Sequence, residues 1–303
     1  MGWRARGLWL FLLLFGALPL SVLRGLGTLI GHLWWWLDGR GPRVARRNLQ
    51  LCLPELDQDQ RRQLAHAAVI ETARSATELA WIWGRPASRV LARLRTDDSA
   101  ELFHRARREG RPVIVAAPHL GAWEVLNLWL SAQGPVGILY RPPRQRWLEA
   151  LLNKARGQGG AEPVPAHARG VRRLIEILRG GGVLGILPDQ QPKQGDGEFV
   201  DFFGQPALTM TLMAKLAKRE SALVLFAWVE RLPGGQGWAL HFSPADPAID
   251  GPASVNANVE ACARQALAQY QWTYKRFSLS PPGMDNRYAG LRRRPKQKGP
   301  SRA

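Results

Sequence analysis

Apolar positions fall into three regimes along the chain. Gly7–Leu23 carries no charge, Arg24 interrupts, and the apolar run resumes as Gly25–Leu37, closing on Trp34–Trp36. The first run is about 17 residues, at the short end for a bilayer span of about 20. Pro19 leaves two geometries open, a full crossing or a bent hairpin that dips in. The second regime is amphipathic. Arg43–Leu53 predicts a basic helix ended by Pro54, and a longer helix follows from about Asp57 to Trp83, with Leu64, Ala68, Val69 and Leu79 on one face.

From Ser99 the pattern alternates between helix and strand. Helices are predicted at Glu101–Arg108, Glu124–Ala132, Trp147–Arg156, Arg172–Leu178, Leu208–Lys218 and Val255–Tyr270. Strands are predicted at Val113–Ala117, Val136–Tyr140, Val183–Leu187, Leu223–Trp228 and Trp238–Phe242. Strands separated by helices predict an α/β fold, a mostly parallel central sheet flanked by helices, with an N-terminal membrane-anchoring helical segment. The implied division is an anchor over 1–37, a helical scaffold over 38–98, an α/β domain over 99–283 and a basic, disordered tail over 284–303.

Chemistry concentrates at strand ends. Val113–Ala117 is short, apolar and β-branched, as a buried parallel strand is. Pro118 stops it and His119 follows, with Glu124 in the first turn of the next helix. On an unbroken helix, residues five apart point about 140° away from each other. His119 and Glu124 can therefore meet only across a break, which Pro118 and Gly121 supply. The carboxylate would then fix the imidazole tautomer and leave the other nitrogen as a base. Tyr140-Arg141-Pro142 and Pro188-Asp189-Gln190-Gln191 follow two further strands, and Arg156 closes a helix. Several strands that point polar residues at one edge make a shared pocket in open α/β sheets. Asp196–Gly204, tipped by Phe199, Phe202 and Phe203, reads as a loop. His32, His66, His104, His167 and His241 have no carboxylate or cysteine at ligand spacing and read as structural. HExxH, G-x-S-x-G and phosphate-loop motifs are absent from the sequence. No serine or cysteine ends the central strand, which favours a base acting on a second substrate's hydroxyl over a covalent nucleophile.

Charge narrows the partners. The chain carries a formal net charge of +18, which points to a polyanion, either nucleic acid or an anionic membrane surface. Thirteen tryptophans, several near the apolar N-terminus, favour the membrane interface. More arginines follow the apolar segment (Arg40, Arg43, Arg46, Arg47) than precede it, which places the bulk of the chain on the cytoplasmic side. Cys52 and Cys262 have neither metal spacing nor a disulfide framework, so a reducing compartment is compatible. Arg287–Ala303 contains Arg287, Arg292, Arg293, Arg294, Lys296, Lys298 and Arg302 and no acid.

The block PHLGAWE resembles the His-x-x-x-x-Asp/Glu block of the lysophospholipid acyltransferase superfamily. Within it, the chain is similar to the lauroyl/myristoyl (late) acyltransferases of lipid A biosynthesis. RRNLQLCLPEL (46–56), YRP (140–142), Arg156, LPDQQPKQGDGEFVDFFGQPALTMTL (187–212) and QYQWTYKRF (269–277) carry the likeness over roughly residues 8–283. The resemblance implies an O-acyltransferase at a bacterial inner membrane with its catalytic domain on the cytoplasmic side. It implies transfer of a fatty acyl chain from acyl carrier protein to a lipid A precursor of the Kdo-lipid IVA type. His119 carries over as general base, Glu124 as its orienting partner, and Arg141, Arg156, Asp189 and Gln190 as substrate-binding residues. Neither metal nor cofactor is implied, and no nucleic acid is expected. Arg141, Arg144, Arg146 and Lys154 would face the acidic carrier protein, and Trp123, Leu126, Trp129 and the Phe loop would line an acyl groove. A sister enzyme with another glycolipid or lysophospholipid acceptor is the neighbouring alternative. A membrane-tethered protein that binds nucleic acid or anionic lipid is a second, and it has no need of His119.

Overall fold

The computed structural model describes residues 2–143 and 145–291. The elements in chain order are α1 (Trp3–Gly16), α2 (Leu20–Trp36), α3 (Arg40–Cys52), α4 (Gln58–Gly84), α5 (Ala87–Leu91), β1 (Leu94–Thr96), α6 (Ala100–Arg108), β2 (Val113–Ala116), α7 (Trp123–Ala132), β3 (Val136–Tyr140), α8 (Arg146–Arg156), β4 (Glu162–Pro165), α9 (Ala168–Arg179), β5 (Val183–Ile186), β6 (Gly197–Phe202), β7 (Gln205–Met210), α10 (Leu212–Arg219), β8 (Leu223–Arg231), β9 (Trp238–Pro244) and α11 (Pro252–Gln265). A seven-stranded sheet runs β1-β9-β8-β2-β5-β3-β4. Strands β8, β2, β5, β3 and β4 are mutually parallel. Strand β9 is antiparallel to β8, because only Leu232–Gly237 joins them and a parallel return needs a longer crossover.

Strand β2 lies at the middle of the sheet and all four of its residues are buried. Its alternate side chains feed two cores. Ile114 and Ala116 join Leu49, Val69, Leu174, Met213 and Val259 on one face. Val113 and Val115 join Phe103, Val125, Leu225 and Trp238 on the other. A strand apolar at every position is what a sheet covered by helices on both faces requires.

Three expectations are corrected. The stretch read as a Phe-tipped loop followed by a helix from Leu208 is instead the β6–β7 hairpin, and the helix begins at Leu212. Phe202 and Phe203 are buried in the first core, and Phe199 alone of the three is exposed. Val255–Tyr270 is not one helix, because α11 ends at Gln265 and the chain turns into a short closing segment. The tail does not start at 284. Tyr288 is buried and its hydroxyl donates to Asn48 Oδ1, while Arg47 Nε donates to the Arg287 carbonyl at 2.8 Å. Residues 292–303 lie outside the described residues.

The N-terminal helices are joined to the rest through buried charge. Among the described residues no helix is by itself long and apolar enough to cross a membrane. Helices α1 and α2 reach that length and composition only as a pair, bent by 112°. Helix α2 lies against α4 at glycines, where a Cβ on Gly27 would come within 2.6 Å of Thr77 Oγ1 and one on Gly31 within 2.6 Å of Ile70 Cα. Small residues four apart allow such close backbone approach. Arg24, the charge that interrupts the apolar run, is buried. Its Nε donates to Glu78 Oε2 at 3.1 Å and its other nitrogens to the Leu232 and Gly237 carbonyls. Glu78 Oε1 accepts from Arg231 Nε at 2.9 Å, and Arg231 also reaches Glu71 Oε2 at 2.6 Å and Ser75 Oγ at 2.7 Å. One carboxylate thus links α2, α4 and β8. Glu78→Gln should cost about 3–5 kcal/mol in unfolding free energy, because it leaves the buried Arg24 guanidinium without a counter-charge and Arg231 with Glu71 alone. Asp38→Asn, at an exposed pair with Arg46, should cost under about 1 kcal/mol. Chemical unfolding of both variants in the same detergent checks the contrast.

Candidate active site

The parallel pairing of β2 with β5 places two polar residues side by side. Ala116 is paired with Ile186, and three residues beyond each lie His119 and Asp189. Both strands are followed by one residue, a proline and then the polar residue: Ala117-Pro118-His119 and Leu187-Pro188-Asp189. His119 Nδ1 is 2.7 Å from Asp189 Oδ1, and the His119 amide donates to Asp189 Oδ2 at 2.9 Å. Asp189 is 3% exposed. Burial pushes its carboxyl up, but the charge and hydrogen bonds of His119 outweigh that and hold it below the ordinary carboxylate range. Tyr270 lies buried beside it. Burial, reinforced by the Asp189 charge, raises the Tyr270 phenol well above its usual value and keeps it neutral. With Nδ1 engaged by a carboxylate, Nε2 is the nitrogen left to face a substrate. The Trp123 ring lies against the imidazole, with centroids 5.0 Å apart.

The loop that carries His119 is pinned on both sides. Leu120 bridges Tyr270 and Gly121 bridges Val229. Gly121 N donates to the Gln269 carbonyl at 3.1 Å and Ala122 N to the Val229 carbonyl at 2.8 Å. Gly121 has φ +61, and a Cβ there would fall 1.9 Å from Val229 O. Only glycine fits this approach. Gln271 N donates to the His119 carbonyl at 3.1 Å, and the Gln271 side chain accepts from Gln190 Nε2 at 3.1 Å.

This geometry changes one assignment. Glu124 was expected to orient His119. The structure gives that position to Asp189 and turns Glu124 toward Arg156. Arg156 Nη2 is 2.6 Å and Nε 3.1 Å from Glu124 Oε1, and Nε is 3.3 Å from Oε2. The Glu124 charge raises the Arg156 guanidinium further above its usual value. The cause is the drawn-out Leu120–Ala122 segment, which is held between β8 and the closing segment and does not fold back on the imidazole. The Gly121 and Ala122 amides are spent on the Gln269 and Val229 carbonyls.

The remaining expected residues spread out. Arg141 is exposed at the end of β3, the strand beyond β5. Its charge is felt at Tyr274, whose hydroxyl accepts from Gln191 N at 3.1 Å. Leu126 and Trp129 are buried in the second core, Trp129 5.1 Å from the Phe103 ring, so they are scaffold and not groove. Lys154 sits 4.6 Å from the Trp9 ring of α1. Arg144 and the Arg146 side chain lie outside the described residues. His241, on β9, pairs with Asp97 at 2.8 Å, and His32 of α2 with His66 of α4 at 3.1 Å. Among the described residues no group of three or more His, Cys, Asp or Glu is placed to hold a metal.

Comparison with known proteins assigns the chain to a family. The model for the bacterial lipid A biosynthesis acyltransferase family matches residues 5–278. The chain is 27% identical to the lipid A biosynthesis lauroyltransferase of Escherichia coli (strain K12) over 283 residues, covering 89% of this chain and 90% of that one. It is 26% identical to the palmitoleoyltransferase of the same organism over 293 residues, 93% of this chain and 92% of that one. It is 24% identical to the myristoyltransferase over 275 residues, 86% and 81%. The resemblance carried by PHLGAWE and the blocks around it thus extends over nearly the whole described chain, and the chain belongs to the bacterial lipid A biosynthesis acyltransferase family.

Proposed function

We propose that this chain transfers a fatty acyl group from acyl carrier protein to a hydroxyl of a lipid A precursor, with His119 as general base, at the cytoplasmic face of the inner membrane. The observation that carries the reading is the His119–Asp189 pair at the carboxyl edge of the central strand, with Nδ1 held and Nε2 left over. Family membership supports the acyl transfer to lipid A; the imidazole geometry supports the way it is done.

The steps balance without a covalent enzyme intermediate. Nε2 takes the proton of the acceptor hydroxyl as its oxygen attacks the thioester carbonyl. The tetrahedral adduct collapses, the carbon–sulfur bond breaks, and the imidazolium returns the proton to the departing thiolate. A positioned base of this kind supplies about 10²–10⁴ in rate. Asp189, ionised throughout, fixes the tautomer and stabilises the imidazolium. The first amides of α7, at Trp123 and Glu124, are the donors for the oxyanion, since those of Gly121 and Ala122 are committed. Arg141 clamps a phosphate of the glycolipid as it enters. Arg156 cannot serve as a free cation while Glu124 neutralises it; the pair fixes the start of α7 against the end of α8. The exposed apolar side chains of α1 and α2, among them Leu10, Phe11, Leu14, Leu29 and Leu33, are what a bilayer would cover.

Three outcomes test this. His119→Ala should lose nearly all transfer from lauroyl-, myristoyl- or palmitoyl-carrier protein to the tetra-acylated precursor, read as product mass, and Asp189→Asn should lose about 10²–10⁴-fold. Wild-type rate in His119→Ala refutes the assignment. Glu124→Gln and Arg156→Gln should each weaken transfer, and the double variant should be no worse than the poorer single one, since both break one pair; additive losses would separate their roles. Because Asp189 is held below the ordinary carboxylate range, the stability it lends is complete above about pH 4 and is lost as pH falls through its depressed folded value. Melting temperature against pH should therefore fall more steeply on the acid side in wild type than in Asp189→Asn.

A further inference from the structure

Five arginines converge on a groove that the acyl-transfer site does not use. Arg43, Arg46, Arg47, Arg61 and Arg62, with Gln50, Gln58 and Leu291, line an open cavity of about 560 Å³ between α3 and the start of α4. None of these lining residues is acidic. Arg46 is paired with Asp38, Arg47 is occupied by the Arg287 carbonyl and Gln50, and Arg61 touches the Leu53 and Pro54 carbonyls. Arg43 and Arg62 make no hydrogen bond or ion pair among the described residues, and Arg43 Nε is buried without a partner. Like charges held this close repel, and a buried N–H left unpaired costs free energy. An anion in the groove relieves the repulsion. Guanidiniums suit phosphate because their planar donors take its oxygens two at a time.

The surroundings say what carries the phosphate. Helix α3 follows directly on α2, whose exposed Leu29, Ile30, Leu33, Trp36 and, just past its end, Leu37 recur at helical spacing as one apolar stripe. At the end of the stripe the Arg46 guanidinium lies 5.0 Å from the ring centroid of Trp35, the half-buried neighbour of Trp36, and Arg46 pairs with Asp38, the residue after Leu37. A charged groove bordered by an apolar stripe matches an amphiphile, with a phosphate head and an acyl body. Leu291 closes the lining at the groove's edge. We propose that this groove binds the phosphate of an anionic phospholipid headgroup and thereby sets the depth and tilt of the chain at the bilayer. The inference rests on the membrane attachment argued for α1 and α2, and not on the acyl-transfer assignment.

Thermal unfolding of the full chain in a neutral detergent, doped with phosphatidylglycerol or with phosphatidylcholine, tests it. A ligand that binds only the folded form raises the melting temperature in proportion to its occupancy. Phosphatidylglycerol should raise it and phosphatidylcholine should not. Arg43→Gln/Arg62→Gln removes two groups that hold nothing within the protein, so the fold should be intact. It should need about ten-fold or more phosphatidylglycerol for the same rise. Arg89→Gln/Arg169→Gln, an equal charge loss at exposed sites elsewhere, should respond as wild type does. No rise in wild type, an unchanged response in the groove variant, or an equal loss in the control overturns the proposal. So does a full response to inorganic phosphate alone, which makes the site one for a free anion. A groove variant that keeps its phospholipid response but shows a raised KM for the glycolipid acceptor, or for the carrier-linked donor, assigns the groove to that substrate and again overturns it. The melting readout needs no turnover, so its failure leaves the His119 mechanism as it stood, and loss of His119 activity leaves the groove as it stood.

Discussion

Two neighbouring parallel strands, locked in register, set the chemistry of this molecule. The backbone hydrogen bonds of β2 and β5 fix Ala116 opposite Ile186. Each chain then runs through the same residue–proline step, so His119 and Asp189 arrive together with hydrogen-bond geometry already satisfied. A shift of either strand by one residue would exchange its buried faces and part the pair. The four fully buried residues of β2, feeding two cores at once, make such a slip costly. Stability of the sheet and alignment of the imidazole are therefore one constraint.

A second constraint reaches the same loop from outside the sheet. Glu78 on α4 joins Arg24 of α2 to Arg231 at the end of β8. The Arg231 side chain lies 3.4 Å from the Gly121 carbonyl, and the Arg231 backbone exchanges two hydrogen bonds with the Gln269 side chain. Burial would lower the Arg231 guanidinium, and Glu78 and Glu71 more than restore it. The N-terminal helices are thus built into the frame of the loop that carries His119. Helix α2 has two faces with different tasks: one holds glycines and Arg24 against α4 and β8, and the other leaves an apolar stripe outward. That division explains why an arginine sits within an apolar stretch at all.

Much of this was legible in the amino-acid order. The apolar, β-branched run at Val113 with proline after it, the alternation of helical and strand periods from Ser99, and the Pro-His and Pro-Asp steps are local signals, because chain stiffness and side-chain periodicity are local properties. Residue order also marked His119, Arg141, Arg156 and Asp189 as strand-end or helix-end polar groups. Adjacency was what it could not supply. Glu124 lies five residues from His119 and Asp189 seventy, yet strand pairing makes the distant carboxylate the neighbour and the Leu120–Ala122 bridge makes the near one a stranger. The β6–β7 hairpin was missed for a related reason: Ala207–Met210 has helix-compatible residues, and only burial against α11 and Arg276 decides for strand.

The sequence by itself determined the α/β class, the central strand, the polar residues available to a site and the basic, aromatic-rich character of the N-terminal third, since each follows from periodicity, backbone restriction or charge within a few residues. Tertiary structure decided which carboxylate holds the imidazole, that Arg24 is an internal charge, that Trp129, Phe202 and Phe203 are core, and that arginines from two helices and Leu291 share one groove. These depend on which segments lie side by side, and contacts across tens or hundreds of residues are settled by the joint burial of both cores, which no local stretch encodes.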